Sequence, residues 1–185
     1  MDHANGTPSP WVQRWLHLLP AGGSVLDVGC GSGRHLRWLA RQGFQLTGVD
    51  RDEAAVAPLR ALAEVVVADI ESGPWPLAGR RFDTVLVTNY LWRPLLPVLV
   101  DSVAPGGVLL YETFADGQQT VGRPSRADFL LQPGDLLAAC AGLHVVAYEH
   151  GFLRAPGRFV QRIVALRSPP THARHALDGQ PGAGS

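Results

Sequence analysis

The sequence predicts an α/β fold: a three-layer sandwich on a mostly parallel seven-stranded sheet with one antiparallel strand. Three observations carry this. Short apolar runs of strand length alternate with segments of helical period along residues 24–111. A glycine-rich turn joins the first such run to the first such helix. The last two apolar runs are joined by a loop of only six or seven residues around Pro156-Gly157, too short for a parallel crossover, so they must pair antiparallel.

The elements follow in order. Ser9 offers a helix cap with Pro10 at the first helical position. A helix to about Leu19 places Trp11, Val12, Trp15, Leu16 and Leu19 on one face, and Pro20 to Gly23 ends it. Ser24 to Val28 is apolar enough for a strand buried on both faces. Gly33 to Gln42 is helical, with Leu36, Leu39 and Ala40 as its stripe and Gly43 as its stop. Phe44 to Val49 is a second strand. Asp52 and Glu53 suit the first turn of a helix to about Ala63. Val65 to Ala68 and Phe82 to Thr88 are the third and fourth strands. Leu91 to Ala104 is helical in length, with Pro94 and Pro97 confined to its start. Pro105-Gly106-Gly107 has the residues of a type II turn before a strand from Val108 to Tyr111. A long polar segment, Glu112 to Gln132, precedes a helix opened by Pro133. His144 to His150 and Arg158 to Leu166 are the closing pair. Such Rossmann-like sheets bind ligands outside the carboxyl ends of the strands, at the switch in strand order.

One domain accounts for the length of 185 residues. It is expected over 10–167, between a flexible start at 1–9 and a disordered tail at 168–185. Sixteen basic residues balance sixteen acidic ones, so no field for nucleic acid or an anionic membrane is expected. Every basic residue is Arg, which excludes Schiff-base lysine chemistry and a Walker phosphate loop. Cys30 and Cys140 provide neither a disulfide framework nor metal spacing, so no metal is expected. The N-terminal residues lack the pattern of a signal peptide, and no apolar stretch reaches about 18 residues, which points to a cytoplasmic protein, monomer or homodimer.

The chemistry is concentrated in Asp27-Val28-Gly29-Cys30-Gly31-Ser32-Gly33. The spacing is Gly-x-Gly-x-Gly; the dinucleotide fingerprint would need glycine where Arg34 stands, so an NAD-dependent oxidoreductase is disfavoured. Asp27 precedes the first glycine by two residues, where a carboxylate meets an ammonium group and repels a pyrophosphate. Asp50 ends the second strand 21 residues after Gly29, the place from which a carboxylate accepts ribose hydroxyls. An amino-acid end and a ribose end in one site describe S-adenosylmethionine.

On these motifs the chain resembles the class I S-adenosylmethionine-dependent methyltransferases over most of 10–167. The resemblance also rests on Asp69 in Ala68-Asp69-Ile70, on Phe82 to Val87, on Pro105 to Gly107 and on the closing pair. The Gly33-Arg34 junction and the hairpin look most similar to the tellurite-resistance-type branch. The resemblance implies S-adenosylmethionine contacts from Asp27, Gly29, Gly31, Gly33, Asp50, Asp69, Ile70 and Asn89. Turn capping by Asp27, helix capping by Asp50 and an ordinary loop role for Asp69 are the plainer alternatives.

Asn89 to Pro94 follows the fourth strand, where this fold places the acceptor. Its one proline, Pro94, comes too late for the Asn-Pro-Pro-Tyr or Asp-Pro-Pro-Tyr of family members that methylate adenine or glutamine amides. Tyr90, Trp92 and Arg93 line a pocket there or simply pack a helix start. The segment 112–132 is long enough for a substrate lid, with Glu112, Arg123 and Arg126 as acceptor contacts and Arg93 facing them across the cleft. Tyr90 or Glu112 is the candidate for removing an acceptor proton. Arg34 is either a ligand for the cofactor carboxylate or a solvated arginine, Arg37 and Arg41 lie on a solvated face, and His35 is structural. The expected function is methyl transfer to a small-molecule or oxyanion acceptor, with no nucleic acid or membrane partner. The alternatives are a non-catalytic S-adenosylmethionine-binding module and a methyltransferase acting on RNA or protein.

Overall fold

The computed structural model describes residues 6–169 and 171–178. Seven strands form one sheet: β1 (Ser24–Val28), β2 (Gln45–Asp50), β3 (Glu64–Val67), β4 (Phe82–Thr88), β5 (Val103–Phe114), β6 (His144–Arg154) and β7 (Gly157–Leu166). Their spatial order is β3-β2-β1-β4-β5-β7-β6. The first five are mutually parallel; β7 runs antiparallel to both β5 and β6 and is the one reversed strand. Strand order switches between β1 and β4, which places a crevice above their carboxyl ends.

The sheet is covered on both sides because alternate strand residues face opposite ways. Leu26, Val28, Val85, Val87, Leu109 and Ile163 join one core layer. Val25, Leu86, Val108, Leu110 and Val164 join the other, with Trp11, Trp15, Leu36 and Leu39 from the helices above.

The helices are α1 (Pro10–Arg14), α2 (Arg34–Ala40), α3 (Glu53–Val56), α4 (Leu96–Asp101) and α5 (Asp135–Ala139). The Ser9 hydroxyl caps α1 by accepting from the Trp11 N–H, with Pro10 in the first turn, as the sequence indicates. Most helices are shorter than periodicity suggests. After α3 the chain tightens into a 3-10 turn over Ala57–Ala61, because Pro58 has no N–H to continue the α ladder. Pro94 lies in a 3-10 turn (Arg93–Leu95) and Pro97 in the first turn of α4. The chain then returns to the sheet at Val103, and Pro105-Gly106-Gly107 forms an irregularity inside β5. Gly106 sits at φ +79, and the Gly106 N–H and Gly107 C=O pair with Arg167 beyond β7.

Three boundaries differ from expectation. β5 continues through Glu112 to Phe114, so Glu112 belongs to the sheet and not to a lid. β6 and β7 extend until only Ala155 and Pro156 separate them, because the cross-strand pair Phe152–Phe159, with ring centroids 4.9 Å apart, prolongs the ladder. The polypeptide after β7 is not a free tail over its described length: Arg14 donates to the Leu177 carbonyl at 2.7 Å, and the His17 ring bonds that of Ala176. Likewise Ser9, at the end of the segment expected to be flexible, is buried. Residues 1–5 and 179–185 lie outside the described residues. Among the described residues, no helix is long and apolar enough to cross a membrane.

Candidate cofactor and acceptor site

The three glycines after β1 do different things. Gly29 and Cys30 both donate to the Val49 carbonyl, at 2.8 and 3.1 Å, which pins the loop to β2. Gly33 has φ +76, and a Cβ there would stand 2.5 Å from both δ-carbons of Leu59, so it serves the packing of α2. Gly31 has φ +52 and nothing within 4 Å of its missing Cβ, so it faces open space. Its N–H donates to Asp50 Oδ2 at 2.7 Å, while Asp50 Oδ1 accepts from the Asp52 N–H at 3.0 Å. The acid at the end of β2 is thus fixed against the glycine loop, and each oxygen keeps a lone pair for a ligand.

Three cavities meet along this edge. One, of about 180 Å³, is lined by Gly29, Asp50, Arg51, Asp69, Ile70 and Tyr90, among others. A second, of about 290 Å³, is lined by Gly29, Gly31, Ser32, Arg34, Thr88 and Asn89. A third, of about 270 Å³, has Glu71, Tyr90, Leu91, Thr113, Phe114 and Phe129 in its wall. Gly29 and Asn89 are shared by the first two, and Glu71, Asn89 and Tyr90 by the first and third. Asn89 is held in the left-handed region at φ +55, which turns the chain out of β4 into the crevice.

The acids differ in state. Asp69 accepts from the Glu71 and Ser72 N–H groups and from the Ser72 hydroxyl, and that last bond chiefly lowers its pKa. It caps its own turn while bordering the first cavity. Asp27 is 1% exposed and is not in the wall of any of these three cavities. Burial is the main reason its pKa rises to about 7; Arg34 opposes the rise and Asp50 adds to it. Its Oδ2 carries no hydrogen bond and lies 3.8 Å from His35 Nδ1. His35 is buried, and its Nε2 accepts from the Ser9 N–H at 3.1 Å. Nε2 is therefore unprotonated and Nδ1 carries the hydrogen, on the side of Asp27. Burial holds His35 neutral, with a pKa near 3. The histidine, expected to be structural, is also in the wall of the second cavity and has partners that its neighbours in sequence do not reveal.

Several candidates fall elsewhere. Glu112 is 1% exposed and receives Ser9 Oγ at 2.8 Å, Arg158 at 3.2 Å and Arg162 at 3.2 Å. Its carboxylate is the hub of an ion-pair cluster, which corrects its assignment to acceptor contact. Arg93 pairs with Asp135 and the Leu130 carbonyl and lines a separate groove beside α4 and α5. It does not face Arg123 and Arg126 across the cleft. Arg123 is exposed, and Arg126 is exposed, paired with Asp128 and set over the Phe129 ring. The Tyr90 hydroxyl is pushed well above the ordinary tyrosine range, first by burial and then by Glu71 and Asp69. It keeps its proton at neutral pH, which disfavours it as a general base.

Sequence reasoning missed Arg158 and Glu71. Arg158 lies near the start of β7, far along the chain, yet donates to Asn89 Oδ1 at 3.1 Å as well as to Glu112. Only the antiparallel return of β7 beside β5 brings it there. Glu71 is two residues beyond Asp69 in the loop after β3, where the motif itself was the only signal.

The segment after β5 is ordered. Leu131 pairs with Phe114 and Asp116, closing the loop at its base, and Gln118, Leu130 and Leu131 are buried. Pro124 and Phe129 place it against the third cavity.

A family model described as a methyltransferase domain matches residues 25–107. The tRNA U34 carboxymethyltransferase of Klebsiella pneumoniae is 29% identical over 156 residues, covering 75% of this chain and 44% of that protein. That of Edwardsiella ictaluri is 32% identical over 133 residues, covering 61% and 41%. The chain thus spans less than half the length of these curated relatives. Among solved structures, a TehB-like S-adenosylmethionine-dependent methyltransferase of Corynebacterium glutamicum superimposes with TM-score 0.64 at 20% identity, over 89% of this chain and 91% of that one. One from Methanosarcina mazei gives TM-score 0.68 at 15% identity, over 89% and 100%. These likenesses establish the fold.

Proposed function

We propose that the chain binds S-adenosylmethionine and methylates a small molecule; the match of a methyltransferase-domain model to residues 25–107 and the fold shared with S-adenosylmethionine-dependent methyltransferases support this reading. The observation that carries this reading is the Gly31–Asp50 contact. A left-handed glycine with open space beside it is hydrogen-bonded to the acid that ends β2. The residues fit the cofactor at both ends. Asp50 accepts ribose hydroxyls with its free lone pairs, and Ile70 and Asp69 border the same cavity. Arg34, in the wall of the second cavity beside Thr88, meets a carboxylate.

Bound there, the cofactor supplies a methyl group already activated on a sulfonium. The chain's part is alignment and exclusion of water. Tyr90 and Asn89 divide the first cavity from the third, so an acceptor in the third approaches past them. The loop over 115–132 contributes Pro124 and Phe129 to the wall of that cavity. Because Arg93, Arg123 and Arg126 do not converge on it, the acceptor proposed is a small molecule and not an oxyanion.

A second reading, methylation or carboxymethylation of tRNA, is favoured only by the names of the curated relatives. Calorimetry with S-adenosylhomocysteine tests the cofactor assignment, with NAD as competitor. Gly31→Arg abolishes binding, and Asp50→Ala weakens it by about 1–3 kcal/mol through unpaired ribose hydroxyls. Tighter binding of NAD refutes the assignment. Labelling of tRNA from the methyl donor, with no small molecule turned over, moves the acceptor to RNA.

A further inference from the structure

Resting on that methyltransferase reading, we propose that the acceptor is a small amine with an apolar body, seated among Tyr90, Phe114 and Phe129 with its nitrogen directed to Glu71. The third cavity has aromatic rings on its walls and one formally charged residue, the Glu71 carboxylate. Aromatic faces are attracted to cationic or polarised N–H groups through their quadrupoles, and they bury an apolar body at the same time. A carboxylate among such rings selects against anions, because an anionic acceptor would meet like charge, and the nearby guanidinium, Arg51, lines the cofactor cavity and not this one. None of the arginines expected to contact the acceptor is in the cavity wall: Arg93 pairs with Asp135, Arg126 pairs with Asp128 while lying over the ring of the wall residue Phe129, and Arg123 is exposed.

The placement of Glu71 adds a second argument. It lines both the cofactor cavity and the acceptor cavity. An amine arriving as an ammonium meets a sulfonium of the same sign, and a carboxylate between the two offsets that repulsion. It also receives the proton the ammonium must lose before its lone pair is free. The amine nitrogen then forms the new N–C bond, the C–S bond breaks, and its electron pair stays on sulfur as a neutral thioether. The product leaves as the methylated ammonium, and Glu71 returns its proton to solvent. Tyr90, which keeps its proton, is a wall and hydrogen-bond donor in this scheme and not the base.

The test is a methyl-transfer screen on the full chain with phenethylamine, N-methylphenethylamine and benzylamine. Phenylacetate, thiophenol, selenite and total tRNA serve as rival acceptors, with products read by mass spectrometry. The proposal expects methylated amines and little product from the rivals. Glu71→Gln is expected to raise the amine KM at least tenfold more than it raises the dissociation constant for S-adenosylhomocysteine. It also shifts the rise of kcat/KM to higher pH, because only the free amine is then productive; Glu71→Asp restores part of the loss. Turnover of phenylacetate, thiophenol, selenite or tRNA without any amine overturns the amine proposal and leaves the methyltransferase reading standing. An unchanged amine KM in Glu71→Gln overturns it too. If nothing turns over, failure of the S-adenosylhomocysteine-loaded protein to bind phenethylamine by calorimetry overturns it. Failure to bind S-adenosylhomocysteine at all overturns the reading beneath it.

Discussion

Replacing Gly31 and Gly33 separately by alanine separates the binding role of the glycine turn from its packing role. Both residues have positive φ, +52 and +76, and an L-residue in the left-handed region costs roughly 1–2 kcal/mol. At Gly33 the new Cβ also stands 2.5 Å from both δ-carbons of Leu59, which is fully buried, so the leucine must repack within the core. Overpacking of that kind adds about 1–3 kcal/mol. Gly33→Ala is therefore expected to lose about 2–5 kcal/mol, or about 5–15 °C in Tm for a chain of this size. At Gly31 nothing lies within 4 Å, so Gly31→Ala loses only the backbone strain of about 1–2 kcal/mol. Its methyl group, however, occupies space on the cofactor side of the loop, and affinity for S-adenosylhomocysteine should fall at least about tenfold, or about 1.4 kcal/mol. Urea denaturation and calorimetry read the two quantities independently. If Gly31→Ala proves as destabilising as Gly33→Ala and binds S-adenosylhomocysteine normally, the division of roles is wrong.

Three further outcomes follow from the buried polar groups. Burial raises the folded-state pKa of Asp27 from 3.8 to about 7, so the stability of its protonated form is complete below about pH 4 and is lost as pH climbs to 7. At about 1.4 kcal/mol per unit this is on the order of 4 kcal/mol, and Asp27→Asn should gain on the wild type by that order between pH 4 and pH 8 in urea titrations; parallel profiles would contradict it. His35, lowered to about 3, acts oppositely: its contribution is present above about pH 6.5 and is lost as pH falls toward 3. Glu112→Gln removes the charge that answers Arg158 and Arg162 and should cost about 3–5 kcal/mol of stability, while the protein that remains folded keeps its turnover within a few fold. Loss of turnover beyond about a hundredfold at unchanged stability would return Glu112 to the catalytic machinery.

The local sequence determined what rests on local physics. Strand-length apolar runs, the Ser9-Pro10 cap, the glycine turn and the acids within β1, at the end of β2 and after β3 follow from side-chain period, backbone freedom and charge at short range. So did the reversal of the last strand, because a short connection permits no crossover. Tertiary structure decided which charges meet. Glu112 looked free in a polar stretch, yet its neighbours across the sheet extend β5 past it and bring Arg158 and Arg162 from β7 onto its oxygens. Arg93 stood next to the acceptor motif in sequence, but the turn into α4 carries its guanidinium to Asp135. Asp27 and His35 are eight residues apart and acquire their states only when the sheet, α2 and Ser9 exclude water from both. Ion pairs and desolvation depend on distances of a few ångströms between residues remote along the chain, and only the folded molecule sets those distances.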